Sequence, residues 1–204
     1  MIRPFVFLAV SLAATPQPIS DACICQDAVV NHRWCDVCGV GYVAGVRIKS
    51  KLLFEALDAH GHEIDTKTIV CPTCRIALET DGFCEPCRVG FIRRQMYFTR
   101  IAYLLGKGEG VRLDALAFPV CSENAKTTGW CEKCNRGMVG HTAFSDKNLF
   151  QAAQEAYRFL LEAVKLLETC DICAVAMFFD NTCPIHKATY RNGKRVETGP
   201  ADSE

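Results

Sequence analysis

CPTCRIALETDGFCEPC, residues Cys71 to Cys87, is the stretch on which the reading of this chain turns. Two Cys-x-x-Cys pairs stand nine residues apart. The same frame returns as Cys170-x-x-Cys173, nine residues, then Cys183-x-x-His186, and the gap of nine recurs from Cys25 to Cys35 and from Cys121 to Cys131. Equal gaps at four places are the mark of an internal repeat. The residue before the third cysteine position is Trp34, Phe83 or Trp130 in three copies and Thr182 in the fourth. Past the second pair, Gly41-Tyr42, Gly90-Phe91 and Gly137-Met138 lead into β-type stretches (YVAGVRI, FIRRQMYF, MVGHTAF), and Ser50, Thr99 and Ser145 follow as helix N-caps.

The segments after those caps carry helical periodicity. Lys51 to His60 places Leu52, Leu53, Ala56 and Leu57 on one side, with Gly61 as the stop. From Asp146 to Thr169, the residues Leu149, Ala153, Ala156, Leu160, Ala163 and Leu167 follow alternating steps of four and three, opposite Gln151, Glu155, Arg158, Glu162 and Lys165. Such a stripe is expected to pack within its own chain rather than on a partner helix. Each unit therefore reads as ribbon, strand and helix, with the last copy truncated. The polar tail after Tyr190 (RNGKRVETGPADSE) is expected to be disordered.

Composition narrows the class. Twenty-three basic against 23 acidic residues exclude a globally basic nucleic-acid binder, and 50% hydrophobic with 23% charged residues excludes both a disordered tail and a multi-span membrane protein. Fourteen cysteines in 204 residues set the chain apart from ordinary globular proteins. The N-terminus has the export pattern: one cation by Arg3, an apolar run from Phe5 to Ala14 (FVFLAVSLAA), then Pro16 and Pro18. Ten helical residues span about 15 Å, half a bilayer core, so no transmembrane anchor is expected. Cleavage after Ala13 or Ala22 fits the small residues there, and the second cut leaves Cys23 first; a buried N-terminal strand is the alternative.

Paired knuckles aim thiolates at one point, and a second pair returned by a short hairpin completes a tetrahedron around Zn²⁺ at about 2.3 Å per sulfur. A unit of this size buries too little apolar surface to fold alone, so the metal supplies the stabilisation. Over CPTCRIALETDGFCEPC above all, the chain resembles tandem zinc-ribbon proteins of the double-zinc-ribbon and rubredoxin-like type. That resemblance implies one complete site at Cys71, Cys74, Cys84 and Cys87 and another at Cys170, Cys173, Cys183 and His186. In the first unit Cys25, Cys35 and Cys38 fall in register, and Cys23 is preferred to His32 as the fourth ligand. The third unit keeps Cys121, Cys131 and Cys134 but has Phe118 at the first knuckle position; either His141 closes it or the site has lost its ion. Three to four Zn²⁺ per chain follow, with Fe or Cu(I) as alternatives for sulfur-rich sites.

The expected fold is small α+β: tandem metal-stabilised zinc-ribbon-like β units with intervening amphipathic helices. Residues 1–22 are the signal peptide, 23–62, 63–110 and 111–169 the first three units, 170–190 the truncated fourth, and 191–204 the tail. The expected function is an exported, periplasmic or extracellular, bacterial-type scaffold that binds protein partners and is not an enzyme. A soft-metal carrier is the first alternative and a disulfide-stapled exported protein the second. No Cys-x-x-Cys is followed by His as haem attachment requires, and no metalloprotease, phosphate-loop or dinucleotide motif is present. Arg88, Arg93, Arg94, Arg100 and Lys107, interleaved with Phe91, Tyr97 and Phe98, form the best nucleic-acid stretch; on a neutral chain it reads as one cationic face.

Overall fold

The computed structural model describes residues 26–112, 116, 123–124, 126–191 and 193–196. Within them the chain is a small mixed α/β protein of short helices and small antiparallel sheets. The first unit runs α1 (Gln26–Val30), β1 (Trp34–Cys35), β2 (Val40–Val43), β3 (Val46–Ile48) and α2 (Lys51–Leu57). The second runs β4 (His62–Glu63), a 3₁₀ turn (Thr66–Thr68), α3 (Pro72–Glu79), β5 (Phe83–Cys84), β6 (Val89–Ile92), β7 (Gln95–Tyr97) and α4 (Arg100–Lys107). Next come β8 (Glu109–Gly110), β9 (Gly129–Cys131), β10 (Arg136–Val139), β11 (Thr142–Phe144) and α5 (Lys147–Leu166); the fourth unit supplies α6 (Asp171–Phe178), β12 (Thr189–Arg191) and β13 (Lys194–Val196).

The sheets are ordered β1-β2-β3, β4-β7-β6-β5, β8-β11-β10-β9 and β12-β13. Each of β4 and β8 follows a helix and adds an edge strand to the next hairpin: His62 pairs with Met96, and Gly110 with Thr142. The helix caps explain the spacing. Ser50 and Thr99 accept the N–H three residues on, as expected, but the third helix is capped by Asp146, whose carboxylate accepts from Leu149, and not by Ser145. All three caps lie 15 residues past the third ligand position (Cys35, Cys84, Cys131), which Ser145 does not. The helix expected over 51–60 stops at Leu57, because Asp58 turns left-handed at φ 42 and closes it before His60. Leu52, placed on its apolar side by sequence, is 48% exposed.

A repeated ring contact ties each hairpin to its helix. Trp34 meets Phe54, Phe83 meets Tyr103 and Trp130 meets Phe150, with centroids 5.4 to 5.5 Å apart and tilted planes. Each helix ring sits four residues past its cap, over the glycine of the central strand. A β-carbon at Gly41, Gly90 or Gly137 would lie 2.2 Å from that ring, so the glycine is what admits it. The first helical residue then covers the outer ring in two units, Arg100 over Phe83 and Lys147 over Trp130. In the fourth unit Thr182 stands at the position of the outer ring, and its hydroxyl lies 2.9 Å from that of Thr189, which stands at the position of the glycine.

The helices share one core. Leu53 and Leu57 of α2, Ile101 and Leu104 of α4, Phe150, Ala153, Ala156, Leu160 and Ala163 of α5, and Ala174 and Met177 of α6 are buried together with hairpin residues Val43, Ile48 and Val139. Helix α5 packs on α4 and α6, and α6 on α2. A fully buried leucine contributes about 1.5–3 kcal/mol, so Leu53, Leu57 and Leu160 anchor this layer. The stripe read along α5 is its face toward this core. The segment after Tyr190 departs from expectation: Thr189–Arg191 and Lys194–Val196 pair as an antiparallel hairpin, and Arg191 donates to the Asp180 carbonyl. Residues 197–204, like residues 1–25, lie outside the described residues.

Candidate metal centres

In the second unit the first cysteine pair is carried by a helix, where a second ribbon knuckle was expected. Pro72 occupies the first helical position, where its fixed φ suits the helix and its missing N–H costs nothing. Cys71 is the N-cap, with extended backbone, and Cys74 lies three residues on, so both thiols face one side of the first turn. The loop between β5 and β6 delivers Cys84 and Cys87. The four sulfurs all lie within 4.8 Å of one another, and Cys71 Sγ to Cys84 Sγ is 4.0 Å. A tetrahedron with ~2.3 Å metal–sulfur bonds has edges of about 3.8 Å, whereas a disulfide needs about 2.05 Å. The spacing suits four ligands around one ion.

Electrostatics at this cluster point the same way. Burial pushes the Cys74 thiol up, with neighbouring Cys84, Cys87 and Cys71 adding to it. The Cys74 backbone N–H, directed at the Cys71 sulfur, brings Cys71 down to about 7, helped by the Cys87 thiol. So one thiol is ready to ionise while its neighbour resists. A central cation would remove that conflict by compensating all four thiolates.

The fourth unit repeats the construction with one substitution. Cys170 caps α6 and its sulfur accepts from the Cys173 N–H at 3.4 Å; Cys183 and His186 come from the following loop. Cys170 Sγ to Cys183 Sγ is 4.0 Å, and His186 Nδ1 lies 3.3 Å from Cys173 Sγ and 3.8 Å from Cys183 Sγ. A zinc tetrahedron expects about 3.6 Å between a sulfur and a nitrogen ligand, so Nδ1 is the atom placed to bind. Burial raises Cys173 to about 11, while Tyr190 bonds its sulfur and works against that rise. Burial also acts to raise Cys183, but the His186 backbone N–H and the nearby Cys173 and His186 side chains outweigh it and bring the thiol to about 6. Tyr190 itself is raised to about 12, first by burial and then by its bond to Cys173. Such a bond orients a ligand and tunes its basicity.

The loop carrying the second pair has one backbone shape in all four units. The residue after its last ligand position is left-handed each time: Gly39 at φ 62, Arg88 at 57, Asn135 at 50 and Lys187 at 53. Gly39 N–H closes on the Cys35 carbonyl at 2.9 Å, and Lys187 N–H on Cys183 at 2.8 Å. Cys35 and Cys38, and Cys131 and Cys134, therefore sit on the same frame as the two complete sites. Their expected companions Cys23, Cys25 and Cys121, and Phe118 of the third unit, lie outside the described residues.

Neither histidine weighed as a ligand for an incomplete unit lies beside that unit's described cysteines. His141 was the nearest candidate to close the third site, yet Arg136 pairs with Cys131 and Val139 with Thr142, which puts His141 in the turn at the far end of the hairpin. Three residues of strand are about 10 Å, and the ring packs instead at Gly45 of the first unit. His32 is likewise at the wrong end for Cys35 and Cys38: its Nδ1 accepts the Ala44 N–H at 3.3 Å. In both cases strand register separates residues that sequence distance brings together.

The basic stretch is only partly engaged: Arg93 and Arg94 are exposed at the β6–β7 turn, and Phe98 is exposed beside His62. Arg88 pairs with Asp180 at 2.7 Å, Arg100 with Glu85 at 2.6 Å, and Lys107 reaches the Asp81 carbonyl. Phe91 and Tyr97 are buried and offer no stacking face. What sequence reasoning missed is the helical start of each complete site, signalled by Pro72 and the run RIALE, and Tyr190 behind Cys173. No disulfide occurs among the eleven described cysteines. No helix among the described residues is long and apolar enough to cross a membrane. Comparison with family models, curated proteins and solved structures gives no match to this chain.

Proposed function

We propose that this protein is a metal-stabilised binding scaffold whose repeats hold three to four Zn²⁺ per chain, exported by its N-terminal segment. The observation that carries the reading is the convergence of Cys71, Cys74, Cys84 and Cys87, and of Cys170, Cys173, Cys183 and His186, each as a closed set of four donors. Four protein ligands leave no open position for substrate or water, which favours a structural role over a catalytic one. Sulfur-rich tetrahedral donors suit Zn²⁺ and also accept Fe or Cu(I). The shared loop frame at Cys35–Cys38 and Cys131–Cys134 supports further ions there, with partners from the segments before them. Export rests on residues 1–22 of the sequence alone, and N-terminal sequencing of the mature chain tests it: retention of Phe5 to Ala14 on a cytoplasmic protein would remove that part of the reading.

A soft-metal carrier is the second reading, and one observation favours it. In both complete sites two ligands are buried and one, Cys87 or His186, is exposed. An outward ligand is where an acceptor would begin exchange. Chelator challenge with the fold monitored by circular dichroism separates the two. A scaffold loses metal and structure together, whereas a carrier releases an ion with its structure retained.

A further inference from the structure

His32 and Asp81 hold equivalent places in the first and second units. Each lies three residues before a ligand cysteine, Cys35 or Cys84, and each is left-handed, at φ 53 and 51. Each also accepts the backbone N–H of the first residue in its hairpin turn: Ala44 N to His32 Nδ1 at 3.3 Å, and Arg93 N to Asp81 Oδ1 at 2.8 Å. The two latches answer protons differently. A ring nitrogen that accepts an N–H must keep its lone pair, so His32 is neutral with its proton on Nε2. A proton on Nδ1 turns the acceptor into a donor facing another donor. A carboxyl group keeps an accepting oxygen whether or not it carries a proton.

The surroundings of His32 resist its charge. Burial, then His60 from the segment after α2, then His141 from the β10–β11 turn hold it down to about 4. His60 Nε2 lies 3.3 Å from the Asn31 carbonyl. Nearby carboxylates are engaged elsewhere: Asp27 with Asn31 and Arg33, Asp58 with His62, and Glu109 of β8 with Arg136. On the far side, the Val111 N–H, just before Arg112, bonds the His141 carbonyl. The latched turn is also a junction. A β-carbon on Gly140 would strike the Ala44 carbonyl, and one on Gly45 would lie 2.8 Å from His141 Cδ2, so the turns of the first and third units are in direct contact.

We propose that His32 is a proton-released latch: below neutral pH, protonation of its Nδ1 frees the first hairpin turn and parts the junction between the first and third units, while Asp81 keeps the second turn closed. The sign follows from linkage. The latched state binds its proton at about 4 and a freed histidine at about 6.5. Between those values the freed state carries more protons and is favoured by acid. The opening equilibrium should rise about 20-fold from pH 7 to 5.

Hydrogen exchange on the metal-loaded full chain, corrected for the intrinsic pH dependence of exchange, reads this at two amides. Ala44 protection should fall about 20-fold between pH 7 and 5 while Arg93 protection holds. His32→Asp, which copies the second latch, and His32→Asn, which keeps an acceptor and tolerates positive φ, should each abolish the fall. Constant protection at Ala44 in the wild type, an equal fall in both variants, or a parallel fall at Ala44 and Arg93 with metal loss would each overturn the proposal. The His32 ring resonance, followed over the same range, should move in step with Ala44 exchange; a ring that titrates while Ala44 stays protected would also contradict it.

Discussion

The second and fourth units place nearly the same donor set in different surroundings. Cys74 and Cys84 belong to a small satellite cluster with Ala77 and Phe91, bordered by Ile64, Ile69 and Met96. Cys173 and Cys183 instead belong to the core that all four units share, beside Ala174, Met177 and Tyr190. A metal in the second unit would order its own hairpin and helix, whereas one in the fourth would also anchor α6, on which α2 and α5 pack. A tandem repeat is expected to behave as semi-independent pieces. Here the helices are pooled, and the consequence of losing a site depends on which side of that pool it lies.

The largest contrast should come from single ligand removals. Structural zinc contributes on the order of 10 kcal/mol or more in small modules, as much as a typical domain's whole stability. Cys183→Ser should therefore abolish protection across the chain, while Cys84→Ser should cost protection in residues 64–97 and leave α5 and α6 ordered. Hydrogen exchange on both variants distinguishes them, and equal global loss would break the distinction between satellite and shared core. Gly137→Ala comes next. Its new β-carbon would press into Phe150, a core residue, at a cost of about 1–3 kcal/mol in urea unfolding. The matching Gly90→Ala strikes Tyr103 and should cost a similar amount.

A smaller, sharper effect should follow Tyr190→Phe. It removes the bond to the Cys173 sulfur and should weaken metal binding in the fourth unit about 10- to 100-fold, with the second unit unchanged in a chelator competition. Arg88→Ala should matter least. Arg88 links the second unit to Asp180 of the fourth through a pair whose arginine side chain is 53% exposed, so about 0.2–1 kcal/mol is expected. A larger loss in thermal unfolding would mean that the two sites are mechanically joined through that contact.

The ligand sets were legible because metal chemistry imposes spacing on sequence, and both complete clusters sit where Cys-x-x-Cys and the gap of nine put them. Caps Ser50 and Thr99 were legible for the same reason, since a cap is a local device. Asp146 was missed by one residue although a constant count from the cysteines selects it. The hairpin after Tyr190 was signalled by Asn192-Gly193, a strong turn dipeptide, and was outweighed by the polar composition around it. The helix inside the gap of nine was harder to see, because a short spacer between knuckles fits a turn as well as two helical turns. The positions of His32 and His141, and the pooling of four helices into one core, depend on strand register and tertiary packing, which no local pattern encodes.

The central claim is that the paired clusters are metal sites, and elemental analysis combined with intact-mass thiol counting on protein from its native compartment tests it most directly. At least two ions per chain are expected from the two complete clusters, rising to three or four if the first and third units are filled, with every ligand cysteine reduced. Fewer than two ions per chain, with the cysteines oxidised in pairs, would contradict it and make the chain a disulfide framework.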